Sequence, residues 1–405
     1  MKNKKIIYKN YVQEKYLNLN LNKKLNASYT RILKHVTKNL DKPIDALHTL
    51  SNKFQFNFKN KDINQFKTYK NIVIIGIGGS SLGCQAIYLF LKKKIKKNFQ
   101  FLDNIDPDKL KEFSNKKTLN KTLFIVISKS GNTIETLSNF IALRIIKKNS
   151  KNILIISEKN NNSLYKLSKK MNLKHLEHKK YIGGRYSVLS EVGMVPAYLM
   201  GLNIKGIRKN LLIHLKNKNK IFIKNSVIKL TNLLSNNKFK NLVLFNYVPQ
   251  LENFLYWYQQ LMAESLGKKE KGFLPVVSSA PKDHHSLLQL YLDGPKDKLF
   301  YIFSTEKLND KKITTKNLSE NLNFINNKSL NQIKLAQKNA FIKFLKKKKI
   351  AFREFIIRDF SEQSLGELFS YFILETALIG KLSNINPFDQ PAVEQVKIDA
   401  KRLLI

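Results

Sequence analysis

The sequence predicts an α/β fold made of two successive units, and three observations support this. Short apolar runs rich in Ile and Val alternate with polar turns and helix-length segments, which is typical of a parallel sheet buried on both faces. The alternation occurs in two blocks, which a polar, linker-like stretch at 205–224 separates. The chain has 405 residues, 43% of them hydrophobic, which accommodates two units of about 130–150 residues each.

The first 65 residues are predicted to form short helices and no strand. They are polar with scattered apolar positions, and Asp41-Lys42-Pro43 is typical of a helix start, where a capping residue precedes an early proline. Three strands are then predicted in the first block, at 71–76, 121–128 and 152–157.

The second block contains four strand-like runs, at 241–248, 273–279, 298–304 and 351–358. A long apolar segment, 251–266, follows the first of them. The chain is predicted to close with an apolar helix at 364–382 and an amphipathic helix from about Gln390. We therefore expect four parts: an N-terminal helical segment (1–65), two α/β domains (66–203 and 204–385) and a C-terminal helix (386–405).

Composition excludes several protein classes. The single cysteine, Cys84, allows neither an internal disulfide nor a cysteine-based zinc cluster, and we expect it to serve in packing. No window approaches the ~18–20 apolar residues that a membrane span requires. The first sixteen residues carry charges throughout and lack the apolar core of a signal peptide. A cytoplasmic protein with no membrane partner is expected.

The charge is unusual, since 73 Lys and Arg against 29 Asp and Glu give a net charge of +44. Such a surface attracts nucleic acid nonspecifically. The basic residues are mostly lysines spread along the chain, whereas proteins that read nucleic acid favour the bidentate fork of arginine. We interpret the charge as compositional drift, expect the lysine clusters at 92–94 and 346–349 to be solvated faces, and expect no specific nucleic-acid partner.

A glycine-rich loop, Gly76–Gly83, follows the first predicted strand and opens a helix. Glycines allow a tight turn and close approach to a ligand, and the helix start offers free N–H groups to an anion. Three uses remain open: a phosphate or sugar site, a dinucleotide site in which Asp103 binds a ribose, or a plain turn. Ser81 stands where a dinucleotide fingerprint has glycine.

A second loop, Ser128–Thr136, carries four hydroxyls and a glycine between a strand and a helix. Such a loop can donate several hydrogen bonds to a terminal phosphate. The alternative is a helix cap, in which Asn132 or Ser130 caps and Glu135 or Thr133 reciprocates. Capping needs one hydroxyl, so four favour a phosphate site. Both loops fall at carboxyl ends of strands, where open α/β sheets bind ligands.

SKSGNTIET (128–136) resembles the phosphosugar loop of sugar isomerase (SIS) domains. Four further stretches, in the order of the family, resemble the phosphoglucose isomerases: IGIGGSSLG (75–83), GGRYSVLSEVG (183–193), QQLMAESLGK (259–268) and FDQPAVEQVK (388–397). The resemblance spans roughly residues 70–400. It implies two three-layer αβα domains of the SIS type with parallel five-stranded sheets, a homodimer, and reversible conversion of glucose 6-phosphate to fructose 6-phosphate without metal or cofactor.

The resemblance also implies residue roles. Glu264 takes the place of the base that shuttles a proton between C1 and C2, and Arg185 that of the arginine that stabilises the enediolate. His285, reaching in from the other subunit, and Lys397 serve ring opening. The residues implied to bind the substrate are Gly79, Ser80, Ser128, Lys129, Ser130, Thr133, Gly184, Gln260 and Gln390.

Physical chemistry is consistent with these roles. Moving a proton α to a carbonyl needs a carboxylate base and a fixed cation where enolate charge develops. Glu264 ends an otherwise apolar segment and Arg185 follows two glycines, although either could be a surface charge. Histidine suits ring opening because its ordinary pKa lies near 6.5. The pair His284-His285 leaves that choice open by one residue, and counting back from 293–294 favours His285.

The remaining histidines lie outside any motif, and we expect them to face solvent: His35, His48, His175, His178 and His214. No spacing of His, Asp and Glu suggests a metal. Ala392 stands where the family usually has glycine. The chain is shorter than typical members of the family, so peripheral helices that support the dimer are expected to be trimmed. Three rivals remain: an SIS isomerase for an amino sugar, heptose or pentose phosphate, a non-catalytic phosphosugar sensor, and a nucleic-acid-binding protein.

Overall fold

The computed structural model describes residues 4–113, 119–216, 219–306 and 310–404, and its strands form two five-stranded sheets. The strands are β1 (Ile6–Asn10), β2 (Asn71–Ile75), β3 (Asn98–Leu102), β4 (Thr122–Ile127), β5 (Ile153–Ser157), β6 (Lys174–Glu177), β7 (Asn241–Asn246), β8 (Leu274–Ser279), β9 (Lys298–Thr305) and β10 (Phe352–Ile357).

Helices alternate with the strands, as expected for an α/β fold. They are α1 (Leu19–Asn39), α2 (Asn60–Ile63), α3 (Leu82–Phe90), α4 (Pro107–Lys111), α5 (Ile134–Ala142), α6 (Ser163–Lys170), α7 (Glu191–Leu199), α8 (Ile204–Ile207), α9 (Asn219–Asn236), α10 (Glu252–Leu266), α11 (Leu288–Asp293), α12 (Leu330–Lys347), α13 (Glu362–Leu382) and α14 (Glu394–Arg402). In the described ranges no helix is long and apolar enough to cross a membrane.

The first sheet is parallel throughout, in the order β3-β2-β4-β5-β6. Every residue of β4 and β5 is buried, which explains their continuous runs of Ile, Leu and Val. The three strands predicted in this block are confirmed. β6 carries a single buried residue, Leu176, because it lies at the edge of the sheet, and so it lacks the apolar run that marks a buried strand.

The second sheet has the order β1-β10-β9-β7-β8. Its last four strands are parallel and match the predicted runs, whereas β1 pairs antiparallel with β10, with Ile6 opposite Ile357. The prediction of no strand in the first 65 residues is therefore wrong. β1 is an edge strand in which only Ile6 is fully buried, so its sequence lacks a continuous apolar run.

The N-terminal segment is helical, as predicted, but α1 is long, with 21 residues. The side chain of Asn18 caps it by accepting from Leu21 N, and its buried face packs against α9 and α13. The helix start predicted at Asp41 is wrong. A short 3₁₀ helix begins at Ala46 with Asp45 as its cap, and Asp41 instead accepts a hydrogen bond from the Ser51 hydroxyl.

The stretch 205–224 is more ordered than a linker. Its described residues include most of α8, a 3₁₀ turn at Ile213–Leu215 and the start of α9. The described lysines at 205, 209, 216 and 220 are exposed, whereas apolar residues such as Leu211 and Ile223 are buried. The lysine clusters at 92–94 and 346–349 are exposed, as predicted.

One hydrophobic cluster joins the two sheets, because α3 of the first unit packs against α10 of the second. Cys84 on α3 belongs to this cluster, is buried as expected, and burial raises the pKa of its thiol well above the usual range. The packing brings the glycine-rich loop at the start of α3 next to the end of α10. The two units therefore meet where the first sheet has its strand ends.

Candidate active site

A cleft of about 930 Å³ opens beside the carboxyl ends of the strands of the first sheet. The structure gathers around it eleven of the thirteen predicted site residues: Gly79, Ser80, Lys129, Ser130, Thr133, Gly184, Arg185, Gln260, Glu264, Gln390 and Lys397. They come from separate stretches of the chain. Ser128 and His285 do not line the cleft.

Two glycines let the walls of the cleft meet. A Cβ atom on Gly79 would lie 2.2 Å from the carbonyl carbon of Gly184, so only glycine permits this contact. Gly78 has a φ of +56°, and a Cβ there would lie 2.8 Å from Nε2 of Gln260. Asp103, the candidate ribose ligand, accepts from Gln85 Nε2 at 2.6 Å and lies outside the cleft lining. The glycines of this loop thus serve close packing within the cleft.

The loop Ser128–Thr136, which we call the hydroxyl loop, does not form the capping box that was the alternative interpretation of its sequence. Thr133 is the residue before α5, and its side chain makes no capping hydrogen bond. Its hydroxyl instead pairs with that of Ser128 at 2.8 Å, and the Ser128 hydroxyl also accepts from Gly131 N at 3.1 Å. Ser128 is buried beneath the loop, whereas Ser130 and Thr133 line the cleft. Ser128 therefore shapes the loop from below.

Arg185 is the most constrained charged group in the cleft, with 2% of its side chain exposed. Its guanidinium has five N–H groups, and each has an acceptor within 3.1 Å. The five acceptors are Ser265 Oγ, Glu264 Oε2, Gln390 Oε1, Pro387 O and Asp389 O. The arginine is thus held as a fixed positive charge at the base of the cleft.

Two buried hydroxyls, which the sequence motifs do not mark as functional, position this arginine. Ser265 Oγ accepts from Arg185 Nε at 2.8 Å and lies 2.9 Å from the Tyr186 hydroxyl. The Tyr186 hydroxyl reaches Pro387 O at 3.1 Å, and Trp257 Nε1 donates to the backbone oxygen of Arg185 at 3.0 Å. The only sequence signal for Ser265 and Tyr186 is that each directly follows a predicted catalytic residue in the chain.

Glu264 lies in the last turn of α10, facing the cleft. Its Oε2 accepts from Arg185 at 3.1 Å, and its Oε1 accepts from Gln260 Nε2 at 2.8 Å. Gln260 lies one helical turn earlier, so the two side chains share one face. About 31% of the glutamate side chain is exposed, which leaves the carboxylate accessible from the cleft.

The segment 386–390 forms one wall and is fastened by two cations. Arg185 donates to it as described above, and Lys268 Nζ donates to Asn386 O, Asp389 O and Asp389 Oδ1 at 2.5–2.6 Å. Hydrogen bonding and attraction from Lys268 lower the pKa of Asp389. The segment leads into α14, where Lys397 lines the cleft and forms an exposed ion pair with Glu394 at 2.9 Å.

His285 lies apart from these residues, exposed on the second unit after a short 3₁₀ helix at Lys282–His284. Its neighbour His284 stacks on Phe245, and its Nε2 lies 2.7 Å from the Tyr247 hydroxyl. Burial, followed by repulsion from His285, lowers the pKa of His284.

The prediction for the other histidines is wrong in part. His35 is exposed, but His48, His178 and His214 are buried and His175 is half-buried. Each of the three buried rings has a polar neighbour: Leu40 O for His48, Lys179 O for His178 and Glu367 for His214. A polar neighbour allows a histidine ring to be buried. The sequence around each histidine does not show whether the fold supplies such a neighbour. Among the described residues, no group of three or more His, Cys, Asp and Glu is arranged to hold a metal.

Comparison with known proteins gives a consistent result. A family model described as phosphoglucose isomerase matches residues 20–404. A protein of Methanococcus maripaludis named probable glucose-6-phosphate isomerase is 36% identical over 358 residues, covering 84% of this chain and 80% of that protein. The glucose-6-phosphate isomerase of Methanocaldococcus jannaschii is 33% identical over 364 residues, covering 85% of this chain and 88% of that protein.

Solved structures show the same fold. A glucose-6-phosphate isomerase from Chlamydia trachomatis superposes with a TM-score of 0.76 at 18% identity, covering 99% of this chain and 88% of that one. A hypothetical protein from Thermus thermophilus gives a TM-score of 0.75 at 24% identity, covering 94% of this chain and 98% of that one. At these identities the likeness establishes the architecture of two αβα units.

Proposed function

The chain belongs to the phosphoglucose isomerase family, and we propose that it interconverts glucose 6-phosphate and fructose 6-phosphate as an aldose–ketose isomerase. One observation supports this most: a carboxylate, Glu264, is hydrogen-bonded to a buried arginine, Arg185, in a cleft that the hydroxyl loop also lines. A base, a fixed cation and a phosphate site are what proton transfer on a sugar phosphate needs.

The substrate's phosphate binds at the hydroxyl loop in this proposal. Ser130, Thr133 and Lys129 face the cleft, and Ser128 holds Thr133 from below. Gly79, Ser80 and Gly184 line the adjoining part for the sugar. Because the phosphate is remote from the reacting carbons, its role is to hold the sugar in a fixed orientation over Glu264.

Glu264 then carries the proton. Its carboxylate removes the proton from C2 of the open-chain aldose. The electron pair of that C–H bond forms a C1=C2 double bond, and the aldehyde oxygen becomes negative. The resulting cis-enediolate takes the proton back from Glu264 at C1, while a hydroxyl proton leaves O2 and one is gained at O1, which gives the ketose. Gln260 orients the carboxylate throughout through its hydrogen bond to Oε1.

Arg185 stabilises the enediolate as a fixed charge. Since all five of its N–H groups already have protein acceptors, it needs no rearrangement to present positive potential beside Glu264. Gln390 shares Nη1 of Arg185 with Glu264 and lines the same wall.

Ring opening precedes these steps and requires a second copy of the chain. His285 is exposed and lies outside this cleft, so in the proposed homodimer it reaches the cleft of the other subunit. Lys397, exposed on α14 and facing the cleft, assists it. A glycolytic isomerase of this kind works in the cytoplasm.

The test is turnover of fructose 6-phosphate by the purified protein in the presence of a chelator, followed by a coupled glucose-6-phosphate dehydrogenase assay. We expect sustained NADPH formation that Glu264→Gln abolishes. Wild-type protein that is folded and dimeric but inactive would contradict the proposal. If the protein turned over an amino-sugar, heptose or pentose phosphate faster than fructose 6-phosphate, we would assign it a different isomerase reaction.

A further inference from the structure

Glu158, a residue outside every motif described above, lies in the same cleft as the hydroxyl loop. It follows β5, and its Oε1 lies 3.8 Å from Nζ of Lys129. Its Oε2 accepts a hydrogen bond of 2.8 Å from Nδ2 of Asn160. Because only 14% of its side chain is exposed, a negative charge is held inside a cleft assigned to an anionic substrate.

The backbone fixes Glu158 against the hydroxyl loop. Glu158 N donates to Lys129 O at 3.0 Å, and Leu164 N donates to Gly131 O at 3.1 Å. A third bond, of 2.9 Å, runs from Ser163 N to the side-chain oxygen of Asn132. These bonds join the segment 158–164 to the hydroxyl loop, so the backbone of Glu158 is held beside Lys129.

The charge of Glu158 acts on Lys129 in two opposite ways. Burial lowers the pKa of Lys129, and the attraction of Glu158 opposes this shift. The same carboxylate partly neutralises the ammonium and repels a phosphate dianion that approaches it. Paired in this way, Lys129 attracts the phosphate less strongly than an unpaired lysine would.

We propose that Glu158 is a positioning residue that acts through Lys129 and limits the affinity of the cleft for phosphate, so that product can leave. This inference rests on the proposed function. The aldose and the ketose carry the same phosphate, so phosphate binding stabilises substrate, transition state and product alike. Excess affinity there does not lower the barrier to proton transfer, and it slows release.

The experiment replaces Glu158 with glutamine, which removes the charge and keeps the size and an acceptor oxygen. The dissociation constant for inorganic phosphate, measured by titration calorimetry, is expected to fall by about fivefold to tenfold. The KM for fructose 6-phosphate falls in the same proportion, and kcat does not rise. Glu158→Asp, which keeps the charge, stays within about twofold of the wild type.

A matched control is Glu177→Gln. Glu177 ends the neighbouring strand β6, is exposed and lies outside the cleft lining, so the same loss of charge there leaves phosphate binding unchanged. Unchanged or weaker phosphate binding by Glu158→Gln, in a protein that unfolds at the wild-type temperature, overturns the inference. An inactive wild-type protein contradicts the proposed function, and the phosphate titrations still decide the role of Glu158.

Discussion

Glu264 and Arg185 lie 79 positions apart in the chain, yet their side chains are joined by a hydrogen bond of 3.1 Å between Oε2 and Nη1. The glutamate comes from the end of α10 in the second unit, and the arginine from a 3₁₀ turn, Gly184–Leu189, in the first. The pair therefore forms only when the two units pack together. Substitutions at either residue report on this packing as well as on the chemistry.

Replacing Glu264 with glutamine removes the proposed base and keeps its shape. We expect kcat to fall by several orders of magnitude with a modest change in KM, since the lost interaction acts mainly in the transition state. Steady-state kinetics with fructose 6-phosphate measure this. Glu252→Gln, at the other end of the same helix, is the matched control and should leave both constants unchanged. Near-normal turnover of Glu264→Gln would remove Glu264 from its role.

Arg185→Ala is expected to cost about 3–4 kcal/mol in kcat/KM, the size of effect seen when a group that stabilises a developing anion is removed. Arg185→Lys keeps the charge but loses the fork of donors that five acceptors require, so we expect it to recover only part of the activity. Arg185→Ala also leaves buried acceptors unpaired, so thermal unfolding must accompany the kinetics. Unchanged kcat/KM in a folded Arg185→Ala protein is the contrary result.

Ser265→Ala removes the acceptor of Arg185 Nε, and leaving that buried donor unsatisfied should destabilise the protein by about 1–3 kcal/mol. The free energy of unfolding in urea measures this cost. Because Arg185 loses one of its five tethers, kcat should fall more than KM changes. Tyr186→Phe keeps the ring packing and removes only the hydroxyl, and it serves as the milder comparison. Loss of stability with unaltered kcat would make Ser265 purely structural.

Lys268→Met removes one of the two cations that fasten the segment 386–390. We expect KM to rise several-fold, because Gln390 on that segment then lines the cleft less rigidly, while Glu264 and Arg185 keep their own contacts. Limited proteolysis of the C-terminal region, with kinetics on the same sample, tests this. Lys269→Met, at the adjacent and exposed position, is the control. Equal protease resistance of the two variants would show that the Lys268 contacts do not hold the segment.

Burial lowers the pKa of His178 from the ordinary 6.5 to about 4. The unfolded chain therefore binds a proton near pH 6.5 that the folded protein resists, so stability is lost as the pH falls from about 6.5 toward 4. His178→Asn, which keeps a donor for Lys179 O, should flatten the dependence of unfolding free energy on pH in this range. His35→Asn, at an exposed site, should not. Identical slopes for the two variants would contradict the assignment.

The sequence predicts well those parts of the fold whose signal is local. The apolar runs of β4 and β5 and the motif glycines have local causes, namely burial on both faces and close backbone contact. β1 and β6 are edge strands, so their sequences carry a weaker pattern. No motif marks Glu158, because the role proposed for it depends on Lys129, which comes close to it only when β4 and β5 pair.

In the candidate site, too, residues with a local sequence signal were predicted and residues that depend on tertiary contacts were not. Motifs identified eleven residues that the fold brings to one cleft, although their roles remain predictions. Ser265 and Tyr186 could not be assigned from sequence, because a serine and a tyrosine beside motif residues carry no chemical signature of their own. What makes them important is the orientation of one guanidinium, which depends on α10, the turn Gly184–Leu189 and the segment 386–390 together.

The antiparallel strand β1 has a consequence for how the protein is made. It is synthesised long before β10, its partner in the sheet, because nearly the whole of both units lies between them in the chain. All strands of the first sheet are therefore made before β10, whereas the second sheet can pair its edge strand β1 only after β10 has been synthesised. Until then the nascent chain carries an unpaired strand, and such long-range pairing slows folding and invites association between chains.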